Sequence, residues 1–169
     1  MLAPVFYFIG IKNAAGQQQY NINLGVNLQL YPAGIITSIH AEKFMNTHNA
    51  MILRLGGNFA NRKNFSAYKD NEKGNGLGAT VGYRHYFDLK TGRLLIGGNT
   101  DVWNMWIHWR NKVGQDKETH GTTYTLVLQP WLEAGYVYPL SHSPLQVGLT
   151  TGFGREINIV TSGKAVGQG

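Results

Sequence analysis

The chain has 169 residues, with 15 Lys and Arg against 9 Asp and Glu, and it contains no cysteine. The length suits one domain, and the absence of cysteine excludes disulfide scaffolds, zinc–thiolate sites and cysteine nucleophiles. Only 14% of the residues are charged, whereas a soluble domain usually carries about 25%. The basic residues concentrate in segments 61–76, 109–121 and 161–169, which is typical of solvated loops, so no nucleic-acid partner is expected.

Apolar residues recur at every second position along nearly the whole chain, and glycines interrupt the runs, which predicts strands and almost no helix. No run of about 18 apolar residues predicts a transmembrane helix. Eight strands are predicted, over residues 3–12, 19–31, 34–45, 50–62, 76–88, 94–110, 122–139 and 144–158. Several reach the 9–11 residues that a tilted strand needs to cross a bilayer, as an all-β antiparallel up-and-down barrel of about eight strands would require.

The two faces of these strands differ in chemistry from the second strand onward. Residues 19–31 alternate between apolar side chains and Asn, Gln or Gly, where a soluble sheet would carry Lys, Glu and Thr. Later strands add isolated charges to the polar face, and these are Arg54, Arg84, Asp101, Glu133 and Glu156. The pattern favours a transmembrane barrel whose apolar face meets lipid and whose polar lumen is plugged by a charge network. Two alternatives stay open: a soluble lipocalin-like carrier, and a lumen that conducts a solute.

Strand ends and connections agree with this prediction. Aromatic residues near the predicted strand ends suggest an interfacial girdle, and they are Tyr31, Phe87, Trp106, Trp109, Tyr136 and Tyr138. Short turns at 46–49, 88–92 and 140–143 fall at one end of the sheet, while longer polar loops near 62–75 and 110–121 fall at the other. That asymmetry is typical of periplasmic turns and extracellular loops. Pro130 lies within a strand, where it predicts a lost ladder hydrogen bond and a β-bulge.

Five segments carry a resemblance to a known family, namely "RLGGNFANRKNF", "GLGATVGYRHYFD", "GGNTDVWNMWIHW", "LQPWLEAGYVYPL" and "GFGREINIVTSGKAVGQG". They resemble the small outer-membrane barrels of Bacteroidota-type bacteria in the OmpA/OmpX-like superfamily. The resemblance implies one porin-like domain over residues 1–169 in the bacterial outer membrane, without a cofactor. It also implies contact with outer-membrane lipid and lipopolysaccharide, with another envelope protein as a further candidate partner. A structural, adhesive or partner-binding role through the outer loops is expected, rather than an enzymatic one.

Members of that family end in a closing strand with a terminal aromatic residue, whereas this sequence ends in "VGQG". Either the closing strand is missing from the chain, or the gap is filled by segment 3–12 pairing with segment 144–158 or by another chain. We favour the pairing, because "PVFYFIGI" is too apolar to be left in water.

The strongest candidate for catalysis is "TSIHAEKF", in which Ser38, His40 and Glu42 share one strand face. Lipid A deacylases are outer-membrane barrels that use Ser, His and Glu, so a lipid-modifying enzyme is an alternative function. Residues two apart on a strand lie about 6.5 Å apart, however, which is too far for a direct Ser–His hydrogen bond. The expected role is therefore polar filling of the lumen, with Glu42 paired to an arginine. The six histidines are scattered, and no metal site is expected.

Overall fold

The computed structural model of the protein describes residues 2–11, 22–143 and 145–167. Its regular structure is entirely β, and all strand pairs are antiparallel. The strands are β1 Leu2–Ile11, β2 Ile22–Tyr31, β3 Gly34–Phe44, β4 Asn49–Arg62, β5 Asn71–Asp88, β6 Arg93–Asn111, β7 Thr119–Pro139, β8 Leu145–Gly154 and β9 Ile157–Gly167. The described residues contain no helix with the length and hydropathy needed to cross a membrane. The predicted all-β antiparallel class is confirmed.

One sheet contains all nine strands, in the order β6-β5-β4-β3-β2-β1-β8-β7-β9, and β6 additionally pairs with β7. Strand β1 pairs with β2 on one side and with β8 on the other, from Leu2 opposite Phe153 to Ile11 opposite Leu145. The expected pairing of segment 3–12 with segment 144–158 is therefore confirmed.

Pro130 interrupts the pairing of β7 with β8 and β9 without shifting the register, while the pairing of β7 with β6 continues through it. The pairs on either side of the interruption are Trp131↔Gly154 and Leu128↔Ile157. Two residues of β7, Gln129 and Pro130, and two residues of the opposite segment, Arg155 and Glu156, lie between these pairs. Because neither side has an extra residue, the predicted bulge is wrong. Arg155 N donates to Pro130 O at 3.0 Å, but Pro130 has no N–H to return the second bond of the pair. The predicted loss of a ladder bond is confirmed.

The last strand was not predicted. Strand β8 ends at Gly154, and β9 continues along the first half of β7, from Ile157 opposite Leu128 to Gly167 opposite Thr119. The predicted strand 144–158 is thus divided in two, and the segment expected to be a solvated tail forms a strand. The long β7 makes this possible, because its 21 residues extend well beyond the end of β8.

Burial alternates along the strands, and we call the two sides of the sheet the buried face and the exposed face. On β2 the buried residues are Asn23, Asn27 and Gln29, while Leu24 and Val26 are 57% and 52% exposed. The same inversion recurs on the other strands, where exposed apolar residues include Ile39, Met51, Leu53, Leu55, Phe59, Leu77, Val81, Ile96, Leu132, Leu149 and Phe153. A sheet in water shows the opposite arrangement, with apolar side chains buried and polar ones exposed.

The buried face also carries two apolar clusters, which the sequence analysis did not anticipate. One contains Ile36, Trp103, Met105 and Val127, and the other contains Ala50, Tyr86, Leu95 and Val137. Strand β6 shows how they are arranged, because its buried residues run from Leu95 of one cluster through Asn99 and Asp101 to Trp103 of the other. Polar residues therefore occupy a layer between two apolar layers.

Glycines on the buried face make room for the large side chains. A Cβ at Gly78 would overlap the Trp103 ring, and a Cβ at Gly152 would lie 2.6 Å from Trp131 Cε3. The interior thus tolerates two tryptophans because neighbouring strands contribute no side chain at these points.

Candidate functional site: the buried charged cluster

Arg84 of β5 lies at the centre of the polar layer and is fully buried. Its Nε donates to Glu133 Oε1 at 2.6 Å and its Nη2 donates to Glu133 Oε2 at 3.1 Å, which is a bidentate ion pair. The two residues belong to strands separated by β6, and both lie opposite Gly97 of that strand. A Cβ at Gly97 would lie 2.9 Å from Glu133 Oε1, so this glycine allows the ion pair to bridge β5 and β7.

Glu42 of β3 supplies a second carboxylate to the same arginine. Arg84 Nη1 lies 3.5 Å from Glu42 Oε1, and the hydroxyl of Tyr86 donates to the same oxygen. Both members of this ion pair are buried. Arg84 therefore joins carboxylates from two strands that do not pair with each other.

Arg54 of β4 forms the second centre of the cluster. Its guanidinium carbon lies 5.0 Å from the centroid of the Trp131 ring, in cation–π geometry. Trp131 Nε1 in turn donates to Asp101 Oδ1 at 3.0 Å. Within the described ranges, Arg54 Nε and Nη2 have no hydrogen-bond partner.

The cluster contains two arginines, Arg54 and Arg84, and three carboxylates, on Glu42, Asp101 and Glu133, all of them buried. Buried ions are tolerated when opposite charges and hydrogen bonds compensate their lost hydration. Arg84 links Glu42 and Glu133 directly, whereas Arg54 is joined to Asp101 through the Trp131 ring.

Four residues of the predicted lumen network, Arg54, Arg84, Asp101 and Glu133, are brought together here. The assignment of Glu156 was wrong: it is exposed, at the break between β8 and β9. The alternation of polar and apolar residues that predicted a buried Glu156 ends where the pairing of β7 with β8 and β9 is interrupted, beside Pro130. Tyr86 was not among the predicted network residues, although its position on the polar face of the strand was a usable signal.

The candidate catalytic residues have other partners. Ser38 Oγ lies 3.5 Å from Asn27 Nδ2, and Glu42 binds Arg84 and Tyr86. The expected pairing of Glu42 with an arginine is confirmed. His40 is buried on the same face. The other two members of the Ser–His–Glu candidate, Ser38 and Glu42, contact residues that do not belong to it.

The predicted aromatic girdle is divided between the two faces. Phe87, Trp106 and Tyr138 are exposed, and the half-buried Tyr136 has its hydroxyl 2.9 Å from Thr91 Oγ1.

The assignment of Tyr31 and Trp109 to the girdle was wrong. Each lies an even number of positions from the buried residues of its strand and therefore points to the buried face. Tyr31 donates to Asn58 Oδ1 at 2.6 Å, and Trp109 Nε1 donates to Thr123 Oγ1 at 3.0 Å.

In the described part of the chain, no group of three or more His, Asp or Glu residues is arranged to hold a metal ion. No protein-family model, no curated protein and no solved structure matches this chain.

Proposed function

We propose that the protein is a non-enzymatic outer-membrane β-barrel whose lumen is plugged by the buried charged cluster and whose outer loops bind a partner or surface. The observation that carries the proposal is the inverted polarity of the sheet. Its buried side chains include Arg84, Glu42 and Asp101, while Leu77 is 67% exposed and Ile39 is 63% exposed. Apolar patches of this extent are normally covered by lipid or by another protein.

The strand pairing supports a barrel. Because β6 pairs with β7 and β1 pairs with β8, each strand from β1 to β8 has a hydrogen-bonded neighbour on both edges. A spanning sheet needs this, because an unpaired backbone edge is costly in hydrocarbon. An eight-stranded barrel has an interior just wide enough to be filled by side chains, in agreement with the packed buried face.

The height of the exposed apolar band supports a bilayer rather than a soluble partner. On β5 it runs from Leu77 to Phe87, interrupted by His85. At about 3.3 Å per residue this is about 33 Å of strand, or about 25 Å at a tilt of 40°. The apolar band of transmembrane barrels is about 25 Å tall.

The arrangement of the interior supports a plug. The charged cluster lies between two apolar clusters that contain Trp103 and Tyr86 respectively. A conducting lumen needs a continuous polar path, and these layers oppose one. A barrel without a pore acts through its surface.

The two long loops at one end of the sheet are connected by hydrogen bonds, which gives them the fixed conformation that a binding surface needs. Asp70 accepts hydrogen bonds from Ser66 Oγ at 2.7 Å and from the Lys112 backbone at 3.1 Å, which ties loop 63–70 to loop 112–118. Phe65 and Tyr68 are exposed on the first of these loops, and aromatic residues of this kind are enriched in protein interfaces.

Refolding in detergent and in water tests the proposal. The protein should fold only with detergent or lipid, and its electrophoretic mobility should then change on heating, as expected of a detergent-resistant barrel. The folded protein should give no channel current in a planar bilayer. A monomer that folds in detergent-free water contradicts the proposal, and a steady conductance contradicts the plug.

A further inference from the structure

A basic pocket lies at the end of the sheet that carries loops 63–70 and 112–118, and its Lys73, His108 and Arg110 lie on the exposed face. It has a volume of about 300 Å³, and the cations that line it are Arg62, Lys63, Lys73 and Arg110, beside His108. Lys73 of β5 lies opposite His108 of β6, and Asn71 lies opposite Arg110 one pair further along. Strand pairing thus fixes cations from neighbouring strands around one concavity.

Two of these cations are neutralised by carboxylates, and two are not. Arg62 Nη1 lies 3.3 Å from Glu72 Oε2, and Arg110 Nε donates to Glu118 Oε1 at 2.9 Å. In the ranges that the structure describes, no carboxylate lies within ion-pair distance of Lys63 or Lys73. The pocket therefore keeps a positive charge that an anionic ligand would complement.

The basic pocket directly borders the apolar band. His108 follows the exposed Trp106 by two residues on the same face of β6, a rise of about 7 Å. On β5, Lys73 shares its face with Leu77, four residues further along. One molecule with an anionic head and apolar chains would therefore contact both regions at once.

We infer that the basic pocket binds a phosphate group of a phosphorylated glycolipid whose acyl chains lie against the apolar band. The inference rests on the proposed function, which assigns the long-loop end to the outer leaflet, where such glycolipids lie. Lys73 and Arg110 lie on different strands and in different cross-strand residue pairs, so the cations are spread across the pocket. This suits a headgroup with more than one phosphate better than the single phosphate of a glycerophospholipid.

The test uses the folded protein in detergent, titrated with bisphosphorylated lipid A and followed by native mass spectrometry. The variant Lys63→Gln/Lys73→Gln removes the two unpaired cations. The matched control, Lys43→Gln/Lys90→Gln, removes two lysines from the opposite end of the sheet. A cation near an anionic lipid surface contributes about fivefold to binding, so the pocket variant should bind about 25-fold more weakly. The control should bind as the unchanged protein does.

Dephosphorylated lipid A and phosphatidylglycerol complete the design. Binding should fall by a similar factor when the phosphates are removed, and phosphatidylglycerol should compete poorly. Equal weakening in both double variants, or equal binding of phosphatidylglycerol, overturns the inference. The heat-dependent mobility of every variant is measured first. A protein that folds in detergent but ignores lipid phosphate refutes only the pocket, whereas one that folds in water refutes the proposed function as well.

Discussion

The ion pair between Arg84 and Glu133 offers the most direct test of the buried cluster. Glu133→Gln keeps the size of the side chain but removes the charge that meets Arg84 at 2.6 and 3.1 Å. Arg84 would retain Glu42, whose Oε1 is 3.5 Å from Nη1. Removing one partner of a buried pair costs about 3–5 kcal/mol, and the remaining carboxylate places the expected loss near 3 kcal/mol. Urea titration in detergent, followed by tryptophan fluorescence, measures this loss.

The double variant Arg84→Met/Glu133→Gln distinguishes lost pairing from lost packing. Because it removes both charges, it should be destabilised by at least about 1.5 kcal/mol less than the sum of the single variants. The exposed pair Arg62–Glu72 provides a matched control, since Glu72→Gln should change stability by less than about 1 kcal/mol. Additive effects at Arg84 and Glu133, or a loss no larger than that of the control, would refute the claim that the cluster is buried and coupled.

Three further predictions concern the exposed face, the glycines and a loop. Val81→Arg, near the middle of the apolar band, should destabilise the protein in bilayers by about 2–4 kcal/mol, whereas Val81→Leu should not; equal stability of the two in urea titrations would mean that lipid does not cover this face. Gly78→Ala should lower stability by about 1–3 kcal/mol because its methyl group meets the Trp103 ring, and Trp103→Leu should relieve part of that cost; an unchanged thermal midpoint for Gly78→Ala contradicts the close packing. The Gly114 amide donates to Glu118 and, with Arg110, lowers the pKa of that carboxyl; the contact is present above the ordinary Glu pKa of about 4.3 and is lost as pH falls through the lowered value, so the Gly114 amide shift should titrate below pH 4.3, and a midpoint above it contradicts the contact.

The face of the sheet on which each side chain lies was predictable from the sequence, because successive side chains of a strand point to opposite faces. That period alone predicts that Arg54, Arg84, Asp101 and Glu133 share the polar face of the sheet. It did not identify which charges meet, because the Arg84–Glu133 contact depends on a third strand that offers Gly97 opposite both residues. Such contacts depend on register, which the local sequence specifies poorly.

The errors also have physical causes. Tyr31 and Trp109 were assigned to the girdle from their position near strand ends, although their parity already placed them on the buried face. Strand β9 was missed because "TSGKAVG" has little apolar alternation, and its backbone pairs with the part of β7 that extends beyond the end of β8.

The missing N–H of Pro130 also affects how the sheet wall fluctuates. Opposite Arg155 the wall is held by one backbone hydrogen bond, where an undisturbed pair of this type has two. A groove of about 560 Å³ adjoins this point on the exposed face, beside Gly98 and Phe153. Hydrocarbon offers no water to replace a broken bond, so transient opening should concentrate where a bond is already absent. The seam between β7 and β8–β9 is where we expect amide hydrogens to exchange first and where pulling forces would begin to unzip the sheet sideways.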